Sequence, residues 1–191
     1  AGSVRKAIGD GDDWQLRRAA MAVLTGAGAA GLELDARIAL IRSGLRNESA
    51  HVRYEAVRGY ARHGAPAHGC GPLLDAIRDE DTGVAIEALD RLGDACKEDG
   101  QVTTALTAEA QTPPSNQQWH RPTHAFVSLS KRSPEAAAIR MEAFVTHPVW
   151  WVRMYSAFAA AGAKDLLHLN KLAYDENDNV REAALGHLRR L

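Results

Sequence analysis

The chain has 191 residues, 46% hydrophobic but only 6% aromatic, so Ala, Leu and Val carry its apolar share and suit close helix–helix packing with few large pockets. Lys and Arg number 23 against 24 acids, a formal net charge of −1. That balance excludes the bulk positive field that drives phosphate-backbone binding and leaves no polybasic membrane anchor, and no apolar run approaches the roughly 18 residues of a membrane span.

In chain order, one phrase keeps returning: an apolar residue, Arg, a small residue one turn on, then an apolar pair. It reads Leu16-Arg17 with Ala20, Val23 and Leu24. A helix over 33–45 follows, with Leu34, Ile38, Ile41 and Leu45 at helical spacing. The phrase returns as Val52-Arg53 with Ala56, Gly59 and Tyr60, and a Gly/Pro-rich loop over 63–71 follows it. A helix over 72–78 begins with Pro72. Next come Val84-Ala85 with Ala88, Arg91 and Leu92, and a helix over 101–110. After a Gln- and Pro-rich insertion, 112–118, a degenerate copy over 119–129 puts His120-Arg121 in the apolar-Arg slot. Ser133 is placed to cap a helix over 134–145. Val152-Arg153 with Ser156, Ala159 and Ala160, a helix over 164–174, and Val180-Arg181 with Ala184, His187 and Leu188 complete the chain.

Anchored on its first residue, the phrase starts at 16, 52, 84, 120, 152 and 180. Such a period means a stack of helix pairs, each burying its apolar face on its neighbours. The two helices of a pair are joined by a polar turn: Asn47-Glu48-Ser49, Asp79-Glu80-Asp81 or Asp175-Glu176-Asn177-Asp178. Asn47, Asp79 and Asp175 each lie five residues before an anchor. A short acceptor there can cap the second helix or receive the Arg of a neighbouring unit.

The turn acids and the phrases Val52-Arg53, Val152-Arg153 and Val180-Arg181 resemble the HEAT repeat, particularly its short bacterial form, from about Val4 to Leu191. The resemblance implies an all-α fold, a right-handed α-solenoid of about six helical pairs with the second helices lining its concave face. It is read as a single repeat domain over 1–191, a segment of a longer protein, because the terminal units keep an apolar seam, Val180, Ala184, Leu188 and Leu191. Ala85 in an Arg slot and the 112–118 insertion depart from the pattern. The strings Trp119-His120-Arg121 and His147 to Tyr155 look like HEAT segments found beside cyclophilin-type prolyl isomerase domains.

Function is read from what faces outward. Arg17, Arg53, Arg121, Arg153 and Arg181 are expected as a structural ladder to turn acids rather than a nucleic-acid track. With positions 0, 4, 7 and 8 after the anchor turned inward, positions 2 and 6 lie opposite. They give Tyr54, Arg58, Ile86, Phe126, Met154 and Phe158 as candidate partner-binding residues. Trp150, Trp151 and Tyr155 open the fifth second helix, and at least one Trp is expected in the core. Cys70 and Cys96, without a CxxC pair, are expected as buried or half-buried thiols. His120 and His124 share a helix face, and His63, His68 and Cys70 share a loop, but both sets fall short of a metal ligand set. Acid pairs such as Asp12-Asp13 and Glu80-Asp81 sit in turns, and Asn47-Glu48-Ser49 matches a glycosylation sequon.

No nucleophile elbow, Walker loop or dinucleotide fingerprint occurs. The chain therefore reads as a non-catalytic scaffold, without cofactor or metal, binding a protein partner as a monomer; neither membrane nor nucleic acid is expected as a partner. One alternative is a HEAT-like nucleic-acid-binding protein, or an enzyme similar to the HEAT-like alkylpurine DNA glycosylases, for which Trp150, Trp151, Arg153 and Asp90 offer materials. The others are the interaction module of a multidomain enzyme such as a cyclophilin-type prolyl isomerase, and a HEAT-type bilin lyase or chaperone.

Overall fold

The computed structural model describes residues 2–9, 13–26, 31–113 and 118–190, and every regular element among them is helical. Asp12, Leu191 and positions 114–117 of the insertion lie outside the described residues. The chain divides into two compact units, 1–96 and 97–191.

In the first unit, helices α1 (Gly2–Gly9), α3 (Leu34–Gly44) and α6 (Gly71–Ala76) alternate with second helices α2 (Trp14–Thr25), α4 (Ala50–Gly59) and α7 (Thr82–Asp94). The second helices pack side by side, α2 on α4 and α4 on α7. Asp13 caps α2 by accepting from Gln15 N, and Asp81 caps α7 by accepting from Val84 N. The expected 63–71 loop is instead mostly helical. A π-helical turn, Tyr60–Gly64, runs into α5 (Ala65–His68). The close approach there requires glycine: a Cβ on Gly64 would lie 2.4 Å from the Tyr60 ring. The Tyr60 hydroxyl donates to Gly69 O at 3.0 Å.

Contrary to the buried or half-buried thiols expected from the sequence, Cys70 and Cys96 form a disulfide joining the N-terminus of α6 to the residue after the C-cap of α7. Separation of 26 residues without a CxxC motif hid the pairing; it arises because α7 folds back along α6.

The second unit repeats the plan with α8 (Gly100–Glu109), α10 (Pro134–Val145) and α12 (Leu166–Leu172) alternating with α9 (His120–Arg132), α11 (Trp150–Ala163) and α13 (Asp178–Leu188). Ser133 caps α10, accepting from Ala136 N. Helix α11 ends at Lys164 in the left-handed region, φ 57°, and Asp165 N bonds back to Ala160 O at 2.8 Å.

The anchors Val52, Val84, Val152 and Val180 are buried, as are the small residues Ala56, Ala88, Ser156 and Ala184 one turn on. Met21, Val57, Leu89 and Ala157, five residues after their anchors, are equally buried. A second helix flanked by neighbours on both sides covers a wider arc than a one-sided amphipathic helix.

That arc exposes a shifted register in the fourth unit. Of its buried residues, Ala125, Phe126, Ser128 and Leu129 match Ser156, Ala157, Ala159 and Ala160 when the anchor is Arg121, one residue later than expected from the sequence, and Thr123 and Ser130 are buried in addition. Pro122 then occupies the Arg slot, in the first turn of α9 where its missing N–H is harmless. Arg121 accordingly pairs with Glu109 of the preceding helix at 3.0 Å, not with a following turn.

Two rungs of the Arg ladder, Arg53 and Arg153, are buried clamps, while Arg17 makes a surface ion pair with Glu48 of the next turn at 2.7 Å. Arg53 Nε and Nη2 donate to the two oxygens of Asp79, both at 2.8 Å, while Nη1 donates to Asn47 O and Glu48 O. Arg153 does the same to Asp175 at 2.7 and 2.9 Å and to His147 O and Pro148 O. Each guanidinium thus ties its own turn to the next one. Each turn is closed from within: Asp79, Asp175 and Asn47 accept from the backbone N–H two residues on. His147 takes this place in the turn before α11. Its Nδ1 accepts from Val149 N, and Nε2 donates to Pro113 O. Arg181 clamps only its own turn, through Asp175 O and Glu176 O, and pairs with Asp178.

Burial pushes the Asp79 and Asp175 carboxyls up, but the Arg hydrogen bonds, the turn N–H and the guanidinium charge together hold both below the ordinary carboxylate value. The unfolded chain therefore takes up these protons first. Their stabilisation is complete above the ordinary value of about 3.9 and is lost as pH falls through it toward the folded values. Thermal melts from pH 7 to 3 will show a steeper acid decline in the wild type than in an Asp79→Asn, Asp175→Asn variant. At neutral pH, Asp175→Ala strands a guanidinium whose side chain is 9% exposed and is expected to cost about 3 kcal/mol in denaturant unfolding, with a large coupling term in a double-mutant cycle with Arg153→Met. Reducing the disulfide, which spans 26 residues, is expected to lower stability by about 3.5 kcal/mol on the chain-entropy account, and melts with and without reductant will measure it.

Candidate functional site

The outward side of the second helices is the surface on which the candidate residues were placed. In the first unit Tyr54 and Ile86 are half-buried and Arg58 is exposed. In the second, Met154 is half-buried and Phe158 is 37% exposed. These five side chains lie where helical geometry puts them, two or six residues past a buried anchor.

Phe126 does not. It is 0% exposed and stacks on Phe144 with ring centroids 4.1 Å apart. The one-residue shift in the fourth unit puts it at the core position of Val57 and Leu89, so it supports the face from beneath. The small, equally buried Ser128 and Ala125 beside it masked the shift in the sequence.

In the first unit a row of alternating charges crosses the face. Glu55 lies between Arg18 at 3.5 Å and Arg58 at 3.4 Å, and Glu87 between Arg58 at 3.7 Å and Arg91 at 2.7 Å. The glutamate side chains are 6% and 8% exposed. The Tyr54 hydroxyl meets Glu87, and burial with that bond raises its pKa. Neither glutamate is among the site residues expected from the sequence, although each sits three residues past its anchor with an Arg three or four residues later, a spacing that brings side chains together on a helix. Beside this row a depression of about 340 Å³ is lined by Thr25, Arg58, Ala61, Arg62, Arg91 and Asp94.

The second unit carries rings instead. Trp119 lies 5.8 Å from Trp151 and 5.3 Å from Tyr155, with Trp150 4.8 Å from Trp151. Tyr155 meets His124 at 4.8 Å and Phe158 at 5.7 Å, and Phe158 meets His187 edge-on at 5.0 Å. Trp150 and Trp151 are both half-buried, with the Trp151 indole Nε1 enclosed and without a hydrogen-bond partner. Burial, with Arg190 nearby, lowers the His187 pKa. A depression of about 640 Å³ next to Phe158 is lined by Met154, Leu185, His187 and Arg190 among others.

The histidine sets are used otherwise. His63 Nε2 sits 2.9 Å from Arg37 and 3.1 Å from Thr25 O, and Cys70 is in the disulfide. His120 stacks on Trp119 at 3.7 Å. Among the described residues, no three His, Cys, Asp or Glu side chains group as a metal site would require, and no helix is long and apolar enough to cross a membrane. Asn47 of the sequon uses its side-chain oxygen to close its own turn.

No family model matches the chain, and no curated protein matches it. Solved structures do. A designed armadillo repeat protein is 17% identical, with 98% of each chain covered and a TM-score of 0.56. Another, solved in complex with the peptide (KR)4, is 18% identical, covering 98% of this chain and 97% of that one with a TM-score of 0.57. A set computationally designed for modular peptide recognition is 17% identical over 98% of each chain, with a TM-score of 0.50. At these identities the likeness is one of fold: an all-α, armadillo-like helical repeat solenoid.

Proposed function

We propose that this chain is a non-catalytic repeat scaffold of the HEAT type, one domain acting as a monomer. In this reading it binds an extended segment of a protein partner along the concave face formed by its second helices. The candidate contacts are Tyr54, Arg58 and Ile86 within the first unit, and Met154 and Phe158 within the second. The observation that carries the reading is exposure at these positions: Tyr54, Ile86 and Met154 are half-buried and Arg58 and Phe158 are exposed, and aromatic, Met and Arg side chains of that kind anchor protein interfaces. Similar solved proteins are described as made for peptide recognition. Arg153, one of the residues that the nucleic-acid alternative would draw on, is spent inside a clamp.

The test is a random-peptide display selection on the folded protein, followed by binding measurements on Tyr54→Ala, Arg58→Ala and Met154→Asp, Phe158→Asp double variants. Selected peptides are expected to lose about tenfold or more in affinity for at least one double variant, about 1.4 kcal/mol. Failure to select any peptide, or peptides that bind both variants at full strength, overturns the reading.

A further inference from the structure

We propose that the second-helix face of the first unit is selective for an acidic peptide segment, whose carboxylates are taken by Arg18, Arg58, Arg62 and Arg91. This rests on the peptide-binding reading above and names the chemistry of the partner.

The alternating row Arg18, Glu55, Arg58, Glu87, Arg91 spans α2, α4 and α7 and is not symmetric toward solvent. The glutamate side chains are 6% and 8% exposed, while Arg18, Arg58 and Arg91 are 53%, 48% and 43% exposed. The carboxylates are turned inward, and the guanidiniums stand over them. A guanidinium has five N–H donors in a fixed fork. Arg18 uses one contact here, and Arg58 spreads two long ones over two glutamates, so both keep donors directed at solvent. The buried glutamates hold the forks in place without reaching an incoming ligand.

Arg62 adds a charge that no carboxylate in the row answers. It lines the neighbouring depression with Arg58 and Arg91, and its bond to Thr25 O is long, 3.4 Å. Arg37 stands near it, bonded to Leu24 O and Gly26 O. Burial and the Arg62 charge both lower the Arg37 pKa, the mark of two cations held close. Asp94 is the acid on that lining. A carboxylate entering the depression meets three forks and relieves like-charge repulsion, in the bidentate geometry that Arg offers carboxylates. A basic segment would instead face a row of guanidiniums.

The experiment uses fluorescence anisotropy with four labelled probes on the full chain: an octa-glutamate peptide, a Gly/Ser octapeptide, the (KR)4 peptide and an oligothymidine of eight. Variants are Arg62→Glu, Arg62→Gln and, as a charge-matched control, Arg189→Glu, each checked for helical content. Arg62 holds neither buried glutamate, so its replacement leaves the row's internal pairs intact. Octa-glutamate is expected to bind at least about tenfold tighter than the other three, to weaken as salt rises, to lose about tenfold on Arg62→Glu and less on Arg62→Gln, and to be unchanged by Arg189→Glu. Equal or tighter binding of (KR)4 or the neutral peptide, indifference to Arg62, or no octa-glutamate binding overturns acidic selectivity. A preference for oligothymidine overturns it in favour of phosphate. None of these results bears on the display selection above, which tests peptide binding itself.

Discussion

The stacking of this protein depends on a guanidinium that reaches from one turn to the next. Arg53 and Arg153 each close both ends of their fork, on an Asp of the following turn and on carbonyls of their own. A buried ion pair is weak evidence for net stability, since desolvating two charges offsets most of their attraction. Its contribution lies in geometry. Helices faced with Ala, Leu and Val can slide over one another at little cost in buried area, whereas a bidentate fork with carbonyls behind it has one satisfied position. The clamp sets the register in which the apolar faces meet.

Fixed register gives the outer face its meaning. Positions two and six past each anchor line up across neighbouring helices only because the helices cannot slide. The two units then use the same lattice for different chemistry. The first places carboxylates beneath guanidiniums, and the second runs rings from Trp150 to His187. Both decorate a common backbone plan.

Much of this was legible in the sequence. Helices read at 33–45, 134–145 and 164–174 appear as α3, α10 and α12 within a few residues, and Ser133 caps where expected. The turn acids receive the arginines of neighbouring units, as at Arg53 and Arg153. What was not legible had local causes. The fourth anchor is Arg121, a charged residue where an apolar one is the rule, so pattern matching settled one residue early and put Phe126 on the surface. A buried arc wider than a single stripe concealed Glu55 and Glu87, whose burial depends on neighbouring helices. His147 stands in for Asn or Asp through a ring nitrogen, a substitution that composition does not reveal. The disulfide depends on how α7 returns past α6.

That disulfide also matters when the chain is pulled. It closes the stretch from Cys70 to Cys96, a sequence separation of 26 that takes in nearly the whole α6–α7 pair. Tension entering at the two termini passes across the sulfur bridge and not through the enclosed helices. With a chain reach of up to about 3.5 Å per residue, roughly 90 Å of contour is withheld from extension. The third helix pair is therefore a mechanically shielded block: force that peels its neighbours away leaves its own chain slack.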